Sequence, residues 1–134
     1  MGLDMYLYRV KKEGDEKSFQ RFTRRHHRST IDVAYWRKAN QIHQWFVKNV
    51  QDNKDNCGEY QVTKEQLLKL RELCKDVIAK CKVAEEALPT ASGFFFGGVE
   101  YDDWYYSDLK DTVDQLKDVH HDNDKYNYYY QSCW

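Results

Sequence analysis

Proline occurs once, at position 89, and glycine six times in 134 residues. That scarcity excludes collagen-like and Pro/Gly-rich low-complexity chains. No apolar run approaches the roughly 20 residues of a membrane-spanning helix, and mean hydropathy is -0.94; no membrane partner is expected. Charge of one sign is missing overall. Lys and Arg number 21 against 22 Asp and Glu, a net charge of -1, which gives no strong case for a nucleic-acid partner. The start, Met1-Gly2-Leu3-Asp4, lacks the basic and apolar regions of a secretory signal. The four cysteines (Cys57, Cys74, Cys81, Cys133) contain no Cys-x-x-Cys pair. Cys74 and Cys81 would stand about 10 Å apart along a helix, too far for one disulfide or one metal ion. Reduced thiols and a cytoplasmic location are expected.

Aromatic residues are abundant, at 16% with eleven Tyr, six Phe and four Trp, which excludes a disordered chain. The length suits one globular domain over 1–134 whose core needs no disulfide or metal. Charge is polarised along the chain. Residues 9–28 hold eight Lys or Arg and three acids, net +5, while residues 100–124 hold nine acids and two lysines, net -7. The first segment is a solvated loop or an anion-attracting surface around Arg24, Arg25 and Arg28; the two segments facing each other is a third reading.

Residues 3–11 alternate, with Leu3, Met5 and Leu7 on one face and Tyr6, Tyr8 and Val10 on the other, as in a strand. Residues 12–31 are polar and aperiodic and read as a long loop. Asp32 is a candidate N-cap for a helix from 33 to about 50. Tyr35, Ala39, Ile42, Phe46 and Val50 form its core stripe, flanked by the line Trp36, Asn40, His43 and Val47. Residues 51–58 read as a turn-rich loop, and Tyr60 and Val62 as a short extended piece. Thr63 with Gln66 makes a capping box for a helix to about 87, its stripe being Leu67, Leu70, Cys74, Val77, Ile78 and Cys81. Pro89 stops it. A third helix is expected over 102–120, with Tyr105, Leu109, Thr112, Val113, Leu116 and Val119 inward. Residues 126–134 are too β-prone for a loose tail and predict a strand beside the first, tying down Trp134. The fold class is α+β: three helices packed on a small sheet that contains adjacent N- and C-terminal strands.

Three constellations are candidates for chemistry. Trp36, Asn40 and His43 offer an indole, an amide and an imidazole for a base or sugar, with Arg37 and Lys38 for a phosphate; the structural alternative is a half-buried helix whose Asn40 and His43 bond the backbone of a neighbouring loop. Gly93 to Gly98 brackets three phenylalanines but is no phosphate loop; Phe96 is a candidate platform for an aromatic ligand. Tyr101 and Asp102 open the third helix, where carboxylates are favoured by its dipole and where they could read polar edges. His26-His27 and His120-His121 are adjacent pairs whose side chains diverge, and no metal-binding spacing occurs. No cofactor or metal is expected. A Cys57–His43 nucleophile pair has nothing else in the sequence to require it.

Taken together, Met1–Tyr8, Tyr35–Phe46, Asp55-Asn56-Cys57, Leu88-Pro89-Thr90 with Gly93–Gly97, Tyr101-Asp102 with Trp104-Tyr105, and Tyr130-Gln131-Ser132 with Trp134 resemble a family of short uncharacterised proteins of bacteriophages and prophages. The 9–31 loop is not covered. Members are sometimes labelled phosphoglycerate kinase, but this chain is far too short for a two-domain kinase. The resemblance implies a setting more than an activity: a phage-encoded binding protein in the bacterial cytoplasm that counters host antiviral defence by sequestering a nucleotide-type signal molecule. The alternatives are a protein–protein inhibitor of a defence effector, comparable to an anti-CRISPR protein, and a small nucleotide-processing enzyme. A homo-oligomer is compatible with the residues. The expected ligand-binding set is Trp36, Arg37, Lys38, Asn40, His43, Phe96, Tyr101 and Asp102.

Overall fold

The computed structural model describes residues 2–12, 30–93 and 97–134. The basic stretch around Arg24, Arg25 and Arg28, and with it any pairing with the acidic 100–124 segment, lies outside them, as does Phe96. In chain order the elements are β1 (Asp4–Lys11), β2 (Ile31–Arg37), α1 (Asn40–Asn49), β3 (Glu59–Val62), α2 (Lys64–Ile78), a single-turn α3 (Ala84–Ala87), α4 (Asp103–Gln115), a 3-10 turn (Val119–His121) and β4 (Tyr126–Cys133). The strands form one antiparallel sheet in the order β2-β1-β4-β3. The fold is mixed α/β, with three longer helices and the first and last strands side by side at the sheet's centre.

The alternation in β1 sorts its side chains as the period of two requires. Leu3, Met5 and Leu7 join the main core, whereas Tyr8 and Val10 join Tyr129 in a second cluster that Tyr6 flanks. β4 contributes Tyr128 and Tyr130 to the main core. The Tyr130 ring stacks on Phe46 of α1 at 3.8 Å between centroids.

The helix expected from residue 33 begins instead at Asn40, and Asp32 is not its cap. Residues 31–37 are β2, pairing with β1 through Met5↔Trp36 and Leu7↔Ala34, with a bulge before Tyr8↔Asp32. Ile-Asp-Val-Ala-Tyr-Trp is rich in β-branched and aromatic residues. Its inward side chains, Ala34 and Trp36, are buried while Tyr35 is exposed. The four-residue step from Tyr35 to Ala39 thus crosses a strand–helix junction. Lys38 makes that junction with a left-handed backbone (φ 58°), its N–H donating to the Leu3 carbonyl at 2.7 Å.

The helix starting at Thr63 also stops short. Its capping box forms as expected, and the Gln66 amide additionally donates to the Asn49 carbonyl at 3.0 Å, tying the end of α1 to the start of α2. At the other end Lys80 adopts φ 65°. Its N–H reaches the Val77 carbonyl at 3.1 Å and that of Cys81 the Asp76 carbonyl at 2.8 Å. This is a Schellman closure formed without glycine. Leu67, Leu70, Cys74 and Val77 are buried, but Cys81 is past the helix end and exposed. In α4, Asp102 is the N-cap, accepting from the Tyr105 N–H at 3.1 Å. The helix ends at Gln115, not 120, because Leu116 to Asp118 turn the chain into the 3-10 segment. Among the described residues no helix is long and apolar enough to cross a membrane.

Candidate functional site

Helix α1 is enclosed by the rest of the fold: seven of its ten residues are buried, three of them polar (Asn40, Gln41, His43). Each must find partners or cost stability. Asn40 uses both ends of its amide on the 91–98 segment, donating to the Gly98 carbonyl at 2.7 Å and accepting from the Ala91 N–H at 2.9 Å. Gln41 donates to the Tyr105 carbonyl at 3.2 Å and to Asp108 Oδ2 at 3.3 Å. His43 lies between Tyr130 Oη at 2.7 Å and Asp55 Oδ1 at 2.9 Å.

Asn40 and Gln41, though not His43, line a cleft of about 330 Å³. One wall is the β2–α1 junction, with Arg37, Lys38, Asn40 and Gln41; another is Thr90, Gly97 and Gly98; the third is the entry and first turns of α4, with Glu100, Asp102, Trp104 and Asp108. Gly97 is a necessary glycine. Its φ is +86°, and a Cβ there would stand 3.1 Å from Lys38 Cβ and 3.2 Å from the Lys38 carbonyl oxygen. The Tyr105 hydroxyl donates to the Leu88 carbonyl at 2.7 Å, and Thr90 Oγ1 donates to the Val99 carbonyl at 2.9 Å. Both ends of the 90–99 connection are therefore fastened.

The cleft is electrostatically two-sided. Arg37 Nη1 donates to Asp4 Oδ1 at 2.9 Å, and the Tyr35 hydroxyl donates to the same oxygen at 2.6 Å. The Tyr35 hydrogen bond, aided by Arg37 and opposed by burial, holds the Asp4 carboxyl below its usual range. Lys38 is exposed beside this pair. On the α4 side, burial pushes the Asp108 carboxyl up to about 6; the Gln41 hydrogen bond opposes the shift, and Asp111 and Asp102 add to it. Trp104 is 80% exposed at the rim. An indole so open is not explained by packing.

Of the side chains expected to bind a ligand, Arg37, Lys38, Asn40 and Asp102 line the cleft. Asn40 does so while bonding the neighbouring loop, and Asp102 while capping α4. Trp36 and His43 require correction as ligand groups. Trp36 lies on β2, not on one helical line with Asn40 and His43. Its indole is buried against Phe46 and donates to Thr112 Oγ1 at 2.8 Å, so neither face is offered as a stacking platform. His43 is 0% exposed, with a partner at each ring nitrogen. Burial lowers its pKa, against Asp55. The neutral tautomer with Nε2–H donating to Asp55 and Nδ1 accepting from Tyr130 satisfies all three groups. Tyr101 is half-buried, its hydroxyl accepting from the Thr90 N–H at 3.2 Å; it braces the wall from behind. Trp104 and Asp108, not singled out as ligand groups from the sequence, also line the cleft. Asp108 had a sequence signal: it stands three residues after Tyr105 and four before Thr112, hence beside the buried stripe of α4.

Among the described residues no group of three or more His, Cys, Asp or Glu side chains gathers as a metal would need. The chain matches no protein-family model, no curated protein and no solved structure.

Proposed function

We propose that this is a small-molecule binding protein whose cleft captures a nucleotide-type ligand. The observation that carries the reading is the distribution of groups around one cavity: cations at Arg37 and Lys38, carboxylates at Asp102 and Asp108, and an open indole at Trp104. A nucleotide carries the complementary parts in one molecule. Its phosphate suits the cations, its hydroxyls and amino groups suit the carboxylates, and its base suits the indole. Base–aromatic stacking contributes roughly 1–3 kcal/mol, and a cavity of this size falls within the range of small-molecule sites. The resemblance to phage proteins supplies the setting: sequestration of a nucleotide signal of host antiviral defence in the bacterial cytoplasm.

The test is thermal denaturation with mononucleotides, cyclic dinucleotides and ADP-ribose, using the wild type, Trp104→Ala and the double variant Arg37→Gln/Lys38→Gln. A ligand at about 100 times its Kd adds about 2.7 kcal/mol, several degrees of Tm in a chain of this size. The expected result is such a rise in the wild type, much reduced in both variants. No rise with any of these ligands would overturn the reading and favour direct inhibition of a defence protein. A rise unchanged in both variants would place binding elsewhere.

A further inference from the structure

Resting on that reading, we propose that the Asp108–Gln41 pair selects the base of the ligand, and that the base is guanine. Gln41 is 2% exposed, and its amide N–H groups are directed to the Tyr105 carbonyl and Asp108 Oδ2. This fixes the carboxylate at the wall of the cleft, with Oδ1 outside the Gln41 bond. An ionised carboxylate only accepts hydrogen bonds, so it matches a base edge that only donates. Among the four common bases, neutral guanine is the one with two adjacent donors, N1–H and the 2-amino group, on its pairing edge. Adenine sets an acceptor beside its amino group, cytosine does the same, and uracil flanks one N–H with two carbonyls. Each turns a lone pair toward the carboxylate, and a buried polar contact left unpaired is what gives such sites discrimination.

The same geometry makes the choice depend on protonation. A protonated Asp108 presents one donor and one acceptor, the complement of adenine's pairing edge. The charged groups around it are Asp102 and Asp111 on its own helix and, lining the same cleft, Arg37, Lys38 and Glu100. Burial and the two neighbouring aspartates bring its titration up to about 6, so the preference for guanine weakens between pH 7.5 and 5. Asp108→Asn carries a donor and an acceptor at every pH and keeps an oxygen for Gln41.

Isothermal titration of GDP, IDP and ADP against the wild type at pH 7.5 and pH 5, and against Asp108→Asn at pH 7.5, tests this. IDP differs from GDP only by the 2-amino group. Terminal phosphates also titrate near 6, but all three ligands share that change and it cancels in affinity ratios. The expected result is GDP over both IDP and ADP by at least about tenfold at pH 7.5. That preference should narrow at pH 5 and reverse toward ADP in Asp108→Asn. Equal binding of the three diphosphates at pH 7.5, or an Asp108→Asn protein that still prefers GDP, overturns the guanine assignment and leaves the nucleotide reading standing. No binding of any nucleotide overturns both. If Asp108→Asn fails to fold by circular dichroism, the wild-type GDP-to-IDP ratio and its change with pH decide alone.

Discussion

Asn40 and Gly98 are joined by a 2.7 Å hydrogen bond from the side-chain amide to the backbone carbonyl. The same side chain accepts from the Ala91 N–H, so one residue in the first turn of α1 fastens both ends of the connection that walls the cleft. Asn40→Leu keeps the branching of the side chain and leaves both backbone groups without that partner. The expected loss is about 1–3 kcal/mol, read as a lower urea midpoint at unchanged m-value, with ligand-induced stabilisation weakened as well.

Gly97 is held against Lys38 in a left-handed conformation. Gly97→Ala is expected to lose about 1–2 kcal/mol from the backbone alone, beyond any clash with Lys38. Gly98→Ala is the control, since its added Cβ would meet only the Glu100 side chain. Equal melting temperatures for the two variants would contradict the assignment of Gly97 as the constrained position.

A buried imidazole and a half-buried carboxyl give opposite pH dependences. The folded-state pKa of His43 lies below the ordinary 6.5 because of burial. Its contribution to stability is present above 6.5 and is lost as pH falls, because the unfolded chain takes the proton first. Asp108 is raised from 3.8 to about 6, so its contribution is present below 3.8 and is lost as pH rises through about 6. In urea unfolding between pH 7.5 and 4.5, His43→Gln should remove the acid-side loss. Asp108→Asn should steepen that loss and add stability at pH 7.5, on the order of 1 kcal/mol after allowance for partial solvent screening. Parallel pH profiles in the wild type and both variants would contradict these assignments.

Thr63 and Gln66 close the capping box of α2, and Gln66 also holds the last carbonyl of α1. Thr63→Ala is expected to lose about 1 kcal/mol. Gln66→Ala should lose more than Thr63→Ala, because it also releases Asn49. Chemical denaturation of the two variants side by side checks the order.

The sheet's centre was legible because β1 keeps the two-residue alternation and β4 is dense in β-prone aromatic residues. The start of α2 was legible because its cap is written in side chains. β2 was not, because Tyr35, Ala39, Ile42 and Phe46 fall at helical spacings across a junction that depends on a left-handed Lys38, and no glycine marks it. The end of α2 was hidden for the same reason at Lys80. Of the residues singled out by their chemistry, Arg37, Lys38, Asn40 and Asp102 line the cleft. Trp36 was misplaced with the strand that carries it, and His43 is a core histidine satisfied by Asp55 and Tyr130. Asp108 was overlooked because a lone aspartate beside an apolar stripe reads as a solvated flank until the Gln41 contact is seen.

The most direct measurement is a nucleotide titration followed by backbone amide shifts in isotope-labelled protein. GDP is expected to move a compact set of resonances at Lys38, Asn40, Gly98, Asp102, Trp104 and Asp108, together with the Trp104 indole N–H. Shifts confined to other surfaces, or none at millimolar GDP, ADP and cyclic dinucleotides, would contradict the account of the cleft as a nucleotide site.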